Sequence, residues 1–430
     1  MTLAELTPWL FARTSGGLRW GLDRTEALLA GVGDPHRAFP SILIGGTNGK
    51  GSAAAFCEAA LRRGAARKVG LYTSPHLVSF TERIRIDGHP VADEVVVDVA
   101  TRLRPAIEAS GASFFEATTA MAFLVFAEAG VDIAVVEVGL GGRLDSTNVL
   151  DPLVTAVTNV SLDHAEYLGE DLEKIAEEKA GIFKRGVPAL SASPEPNLER
   201  VLRESAMRAG APFYPLDELA ALEDVRTSTD GTTFTLVSRR WGRQALRSRL
   251  PGVHQARNAA LAVELLGFLP DRLRPGWGGI AEGVAAARWP GRLQIERRGE
   301  TTWVLDVAHN PDGARSLASA LEALTLPKPR VLVAGILTDK DWRTMLRVLA
   351  PSAEQVVLTT PPSAPTSRRW DPAVAAAWLQ SELGRDASVV PDLGQALGLA
   401  ERTATQGTVI VTGSLHTVGD ALHHLGFPTF

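Results

Sequence analysis

The chain is 430 residues long and has a single cysteine, Cys57, which excludes a disulfide framework and any thiolate-based metal site. Cys57 falls in a small-residue helical stretch and reads as a core residue. No uncharged apolar run is long enough to cross a bilayer, and the first ten residues, which include Glu5 and Pro8, lack a basic-then-apolar leader pattern. The chain therefore reads as cytoplasmic. A strong excess of one sign of charge is also missing: the net charge of −5 gives no reason to expect a nucleic-acid or membrane surface. The second half has no Gly-x-Gly-x-x-Gly, which argues against dinucleotide binding there, and the chain has neither an internal repeat nor a low-complexity segment. Such a length exceeds one ordinary core and points to two or three domains.

What is present is Gly45-Gly46-Thr47-Asn48-Gly49-Lys50-Gly51-Ser52. The apolar run 41–44 leads into it and a small-residue helical pattern, 53–61, leads out. Strand, glycine loop and helix is the context of a phosphate cradle, with backbone N–H groups and a helix N-terminus facing the anion. Lys50 would reach outer phosphates and Ser52 could ligate Mg²⁺. The spacing is not the Walker one: Ile44 sits where glycine belongs, and Gly51 where Ser or Thr should follow the lysine.

The rest of the first half alternates strand and helix. Residues 5–31 read as helices broken at Ser15-Gly16-Gly17. Strands are expected at 68–72, 132–138, 153–160 and 187–191, and a hairpin around Asp87-Gly88. Helices are expected at 93–109, capped by Asp93 and kinked or broken at Pro105, then at 114–129 and 170–183. This predicts a mostly parallel sheet covered on both faces. After residue 210 the pattern turns antiparallel, with strands at 232–238 and 246–250 and helices at 258–266 and 279–287. Arg288-Trp289-Pro290-Gly291-Arg292 interrupts everything, and a domain boundary is expected near 290–300. Beyond it a second, smaller Rossmann-like α/β domain is expected. Its strands are at 303–306, 331–335, 355–359, 388–390 and 408–412, with helices at 312–324, 341–349, 372–383, 393–404 and 418–424.

Ligands of parallel sheets sit beyond the carboxyl ends of the strands. Ser74, Glu137 and His164 fall at such ends and could form a Mg²⁺ site. A carboxylate inside the apolar strand 132–138 must be paired or metal-bound, so Glu137 is either a ligand or the partner of a buried arginine such as Arg143. His164 alone reads equally well as a hydrogen-bonded structural histidine. Lys179, mid-helix in a charged segment, reads by itself as solvated. His309 is either catalytic or a cap for the next helix, a role for which Asn310 and Asp312 compete. Gly413-Ser414-Leu415-His416 is open to a plain βα turn. Asn258 and Arg292 flank the boundary, where a cleft between domains would bring them near a nucleotide.

Taken together these stretches resemble the Mur-ligase-type ATP-dependent ligases, specifically the folylpolyglutamate synthase/dihydrofolate synthase family. The matching segments include Gly46–Ser52, Thr73–Leu77, Thr81–Ile84, Phe114–Thr119, Glu137–Asp145, Asp163-His164, Glu178–Ile182, Pro290–Arg292, Asp306–Pro311 and Asp339–Asp341. The resemblance implies an N-terminal P-loop-type ATP-binding domain, residues 1–292, a C-terminal Rossmann-like glutamate ligase domain, residues 293–430, and catalysis in the cleft between them. It implies ATP held by Thr47, Asn48, Gly49, Lys50, Gly51, Ser52, Asn258, Arg292 and Asp306, with Arg292 on phosphate and Asp306 on the ribose side. Mg²⁺ would be held by Ser74, Glu137 and His164. It implies catalytic roles for Lys50, His309 and Lys179, the last matching a lysine that relatives carry carbamylated. The pterin side would involve Arg24, Arg83, Phe114, Phe115, Glu116 and Thr118. The implied partners are dihydropteroate or folates, L-glutamate and ATP, with no nucleic acid or membrane, and the implied state is a monomer. The departures are Ala53, Asp312 and His416, where relatives often carry Thr or Val, histidine, and an aromatic. Two other readings stay open: a cell-wall ligase acting on a UDP-sugar peptide, and a nucleotide-dependent regulatory binder without turnover. Gly51-Ser52 and the 114–118 segment weigh against the first, and the presence of Glu137, His164 and Lys179 against the second.

Overall fold

The computed structural model describes residues 2–14, 21–64, 68–163 and 165–430. The expected break at Ser15-Gly16-Gly17 and His164 lie outside the described residues. The chain divides into two compact units. The first comprises Met1–Asp224, Phe234–Arg247 and Ala256–Ala287, and the second Val225–Thr233, Ser248–Gln255 and Arg288–Phe430.

The first unit carries an eight-stranded sheet. Its strands are β1 (Ser41–Gly45), β2 (Val69–Tyr72), β3 (Ile84–Ile86), β4 (His89–Pro90), β5 (Ile133–Glu137), β6 (Val154–Val157), β7 (Ala189–Ser191) and β8 (Phe213–Pro215), in the order β4-β3-β2-β5-β1-β6-β7-β8. All neighbours from β2 to β8 are parallel, and only the hairpin strands β3 and β4 run antiparallel. Strands β1, β2, β5 and β6 are buried along their whole length, which is why they read as near-continuous Val, Ile and Ala. One core layer joins Leu43, Tyr72 and Val136 to Phe123 and Phe126. Those two rings lie on the helix Phe114–Ala129, which is opened by a capping box between Ser113 and Glu116.

Three further strands, β9 (Ala220–Ser228), β10 (Gly231–Ser238) and β11 (Gly242–Ser248), form a small sheet in the order β11-β10-β9, and the division into units runs through it. The second unit has six strands: β12 (Gln294–Arg298), β13 (Thr301–Leu305), β14 (Arg330–Ala334), β15 (Gln355–Leu358), β16 (Ser388–Val389) and β17 (Thr408–Thr412), in the order β12-β13-β17-β14-β15-β16. Only the β12–β13 pair is antiparallel. Val304, Leu332 and Ile410 pack there with Leu317 and Leu346.

This is the mixed α/β class the sequence predicts. Three local expectations are corrected. The helix Asp93–Ser110 runs through Pro105 without ending; Pro105 and Thr101 are both exposed, so water can take the carbonyl that the proline leaves unpaired. Asp93 is not the cap: Ala92 holds that position, and Asp93 lies in the first turn, where its charge meets the helix dipole. Lys179 is not mid-helix but the last residue of the helix Leu172–Lys179.

Candidate active site

The parallel register levels the carboxyl ends of four adjacent strands, β2, β5, β1 and β6. Ile44 pairs with Glu137, Tyr72 with Val136 and Gly45 with Val157. The glycine loop leaves β1 at that edge and enters the helix Lys50–Arg63. Its shape is set from β6. The Thr47 N–H donates to the Asn159 carbonyl (2.9 Å) and the Asn48 N–H to Asn159 Oδ1 (2.7 Å). The Thr158 hydroxyl donates to the Asn48 carbonyl at 2.6 Å. The Ser161 N–H donates to Thr47 Oγ1 at 3.0 Å, and that hydroxyl donates to the Ser161 carbonyl at 3.1 Å. Gly46 has φ +137°, and a Cβ there would lie 1.9 Å from Thr158 Oγ1. Gly49 has φ +83°, and a Cβ there would lie 2.6 Å from Asn258 Oδ1. Only glycine fits either place, and Asn258 is thereby set against the loop. Gly51 and Ser52 are buried in the first turn of the helix.

Two lysines converge on this loop. Lys50 Nζ donates to the carbonyls of Gly46 and Thr47, each at 3.1 Å. Lys179 Nζ, on a buried side chain, donates to the same Gly46 carbonyl at 3.1 Å. Burial first, and then the Lys50 charge, bring the Lys179 amine down to about 7. Lys179 is placed by backbone-to-backbone packing. The Arg143 N–H donates to the Glu178 carbonyl. A Cβ on Gly142 would lie 2.7 Å from the Lys179 carbonyl oxygen, and one on Gly181 2.3 Å from Arg143 Cβ. Asp145, buried, folds the same loop by accepting the N–H groups of Gly139 and Leu140 and the Thr147 hydroxyl.

Glu137 is 5% exposed at the end of β5, and its Oε2 accepts the Ser74 N–H at 3.2 Å. Two of the three expected metal ligands are therefore neighbours. Arg143, the alternative partner, is instead mostly exposed and bonded to Glu178 and the Glu177 carbonyl. A buried carboxylate beside a serine and a phosphate-type loop is the oxygen-rich set that suits Mg²⁺. The loop after Ser74 is clamped by Glu82, which accepts the N–H groups of Leu77 (2.7 Å), Val78 (3.1 Å) and Ser79 (2.8 Å).

The expected pterin-side residues form one cluster. Arg24 pairs with Glu116 at 2.8 Å. Arg83 is buried, donates from Nε to His76 Nδ1 at 2.8 Å, and lies 5.0 Å over the Phe114 ring. Phe11, 40% exposed, stacks on Phe114 at 4.8 Å. Phe115 closes on Gly139. Thr118 is fully buried, and its hydroxyl meets Tyr72 Oη and the Phe115 carbonyl, so its placement is in the wall behind the cluster.

In the second unit, Asp306 and His309 follow β13. Asn310, not His309 or Asp312, caps the helix Pro311–Ala323, with its Oδ1 accepting the Gly313 N–H. His309 Nδ1 lies 2.9 Å from the Val307 carbonyl. A carbonyl only accepts, so Nδ1 carries a proton in that bond. Sequence reasoning missed His254, whose imidazole is lowered to about 4 by burial and then by Arg292, although part of the residue reaches the surface. It also missed Thr158, Asn159 and Glu82. The polar pair ending β6 is the one signal that could have found the first two.

A glycine loop on a parallel sheet, a buried carboxylate at the next strand end and a second α/β unit define the Mur ligase class of ATP-dependent ligases. Residues 44–266 match the Mur ligase middle domain, and residues 291–415 match the Mur ligase glutamate ligase domain. The chain is 34% identical over 363 residues to the dihydrofolate synthase/folylpolyglutamate synthase of Bacillus subtilis, covering 81% of this chain and 83% of that one. To the folylpolyglutamate synthase of Lacticaseibacillus casei it is 36% identical over 354 residues, covering 80% and 81%. The solved structure of Mycobacterium tuberculosis folylpolyglutamate synthase complexed with ADP matches with a TM-score of 0.89 at 33% identity, over 100% of this chain and 99% of that one. This chain belongs to the folylpolyglutamate synthase/dihydrofolate synthase family.

Proposed function

We propose that the chain joins L-glutamate to dihydropteroate, to folates, or to both, with release of ADP and phosphate. The observation that carries this is the convergence of Lys50, Lys179 and Glu137 on the strand ends around the glycine loop, in a chain of this family. A carboxylate is a poor acyl donor at neutral pH. Transfer of the γ-phosphoryl group from ATP makes it an acyl phosphate; the glutamate α-amine then attacks the carbonyl carbon, and the C–O bond to phosphate breaks. Thr47–Ser52 cradle the phosphates, and Lys50 exchanges its two loop carbonyls for phosphate oxygens as charge develops. Asn258 lies against the loop on the nucleotide side. Ser74 and Glu137, with His164, would hold Mg²⁺, which neutralises phosphate charge. Arg24, Arg83, Phe114, Phe115 and Glu116 shape the pterin side, and Thr118 supports them through Tyr72. His309, with Nδ1 on the Val307 carbonyl, would offer Nε2 in its neutral form to take a proton from an amine. The neutral fraction of Lys179 can attack CO₂ through its lone pair, forming an N–C bond and releasing a proton, which turns a buried cation into a carbamate anion. Residues 1–292 would then be the ATP-binding domain and 293–430 the glutamate ligase domain. The family resemblance implies a monomer, and the substrates imply an enzyme working where ATP and glutamate are made. Among the described residues no helix is long and apolar enough to cross a membrane.

The test is ADP release with dihydropteroate and tetrahydrofolate offered separately, each with and without L-glutamate, followed by mass analysis of the products. Release only when acceptor and glutamate are both present supports the reading. Release driven by UDP-linked sugar peptides would overturn it.

A further inference from the structure

We propose that Asp306 is a positioning residue that brackets Arg292 and His309 through the backbone, in addition to or in place of any contact with the nucleotide. The carboxylate is 8% exposed and both oxygens are engaged: Oδ2 accepts the Leu293 N–H at 2.8 Å and Oδ1 the Ala308 N–H at 2.9 Å. One bond therefore reaches the residue after Arg292, and the other the residue before His309.

The first bond ends on a strained residue. Leu293 has φ +45°, a left-handed conformation that costs any side chain bearing a Cβ, yet its side chain is buried in the core of the second unit. Gly291 is also left-handed, at φ +69°. Arg292 thus sits between two left-handed residues, in a turn that ties back to the end of β13 through the Val307 N–H on the Gly291 carbonyl. Glycine explains position 291. Nothing in the side chain of leucine favours the conformation at 293, so an outside contact must hold it, and Asp306 Oδ2 is the acceptor on its N–H. On the other side, the Ala308 bond fixes the strand exit from which Val307 presents its carbonyl to His309 Nδ1. Removing the carboxylate would release both ends together: the turn would relax toward negative φ, re-aiming Arg292, and the imidazole would lose its fixed mount. The Arg292 charge also faces Asp306 and opposes the rise that burial imposes on its carboxyl group.

The activity arm of the test rests on the ligase reading above; the melting arm does not. Leu293→Gly and Leu293→Ala both remove the buried side chain, but only glycine takes φ > 0 without strain, so comparing them isolates the backbone. Each is made alone and combined with Asp306→Asn. With Asp306 in place, Leu293→Gly should melt about 1–2 °C above Leu293→Ala, and the two should turn over within about twofold of each other. With Asp306→Asn added, the alanine chain is free to leave the left-handed region. The melting gap should then close, while the glycine double variant should release ADP at least about fivefold faster than the alanine one. A melting gap of the same size in both backgrounds, or equal turnover of the two double variants, would overturn the bracket and leave Asp306 as a direct ligand contact. If the glycine double variant does not fold, Leu293→Asn, which also tolerates φ > 0, takes its place under the same readings. If the unmodified chain releases no ADP, the ligase reading has failed, and the melting comparison still decides.

Discussion

Lys50 and Lys179 share one acceptor: both ammonium groups lie 3.1 Å from the Gly46 carbonyl oxygen. One arrives from the helix that follows the glycine loop, the other from the end of a helix more than a hundred residues later. Burial penalises the enclosed cation, and the Lys50 charge on the same neutral oxygen adds to it, which is why the Lys179 amine falls from its ordinary 10.5 to about 7. Below pH 7 the lysine is protonated both folded and unfolded, and the cost of the buried charge is fully present. From pH 7 to about 10.5 the unfolded chain binds the extra proton, so this group's contribution to stability rises with pH by up to about 1.4 kcal/mol per unit. In CO₂-free buffer, Lys179→Met should therefore exceed the unmodified chain in stability near pH 6, and the margin should shrink toward pH 10. Denaturant midpoints across that range check it; a margin independent of pH would mean that Lys179 is not charged at pH 6. Turnover of the variant should fall by at least about a hundredfold at every pH, since the proposed carbamate can no longer form.

Glu137 tests the proposed cation site. Glu137→Gln keeps the size of the side chain and an oxygen for the Ser74 N–H, but removes the charge from a group only 5% exposed. Turnover should drop by at least about a hundredfold and half-saturation by Mg²⁺ should move to higher concentration. The melting temperature should stay within about 2 °C, because glutamine keeps the shape of the side chain and the bond to the Ser74 N–H. Magnesium titration of ADP release is the measurement; an unchanged titration would take Glu137 out of the metal site.

How much of this was legible in the sequence depended on whether a residue's partner lay nearby in the chain. The glycine loop was, because strand, loop, lysine and helix are contiguous. Glu137 was, because a lone acid in an apolar strand announces itself. Lys179 was not: in its own segment it looks solvated, and only the packing of Gly142 and Gly181 at close backbone approach buries it. Thr158 and Asn159 were overlooked because their partners, Asn48 and Thr47, lie about 110 residues away and short polar residues end many strands. Strand β12 was missed because Gln294–Arg298 is charged and partly exposed, as an edge strand is free to be. Pro105 does not end its helix, because at that exposed turn water can take the freed carbonyl.

Gly142 offers a direct test of how Lys179 is held. A Cβ there would meet the Lys179 carbonyl oxygen at 2.7 Å, the Glu178 carbonyl oxygen at 2.8 Å and Lys179 Cα at 3.0 Å. All three are backbone atoms, so the helix end must move. Gly142→Ala should cost about 1–3 kcal/mol of stability and lower turnover beyond what that loss explains, measured well below the melting point. Gly130→Ala is the control. Its φ is +63° but no atom lies within 4 Å of the added Cβ, so it should cost about 1 kcal/mol and leave turnover unchanged. Equal turnover in the two variants would show that Lys179 does not depend on the approach of Gly142.

Glu82 tests the proposed division between a folate side and a nucleotide side. Its carboxylate accepts three consecutive backbone N–H groups, from Leu77, Val78 and Ser79, and is itself buried. Hydrogen bonds to an ionised acceptor are each worth about 1.5–3 kcal/mol, and a buried N–H left without one costs a similar amount. In Glu82→Gln the amide oxygen can still serve Val78 and Ser79, while the Leu77 N–H would face an amide donor. Glu82→Ala abandons all three. The loop they fix follows Ser74, itself tied to Glu137, and includes His76, which Arg83 holds against the Phe114 cluster. The glycine loop, by contrast, is tied to Thr158, Asn159 and Ser161 and takes nothing from Glu82. KM for the pteroate or folate substrate should therefore rise about fivefold in Glu82→Gln and further in Glu82→Ala, with KM for ATP within about twofold of the unmodified chain. Parallel rises in both constants would mean that the loop after β2 serves the nucleotide as much as the pterin, and the division of labour drawn here between the two strand ends would have to be abandoned.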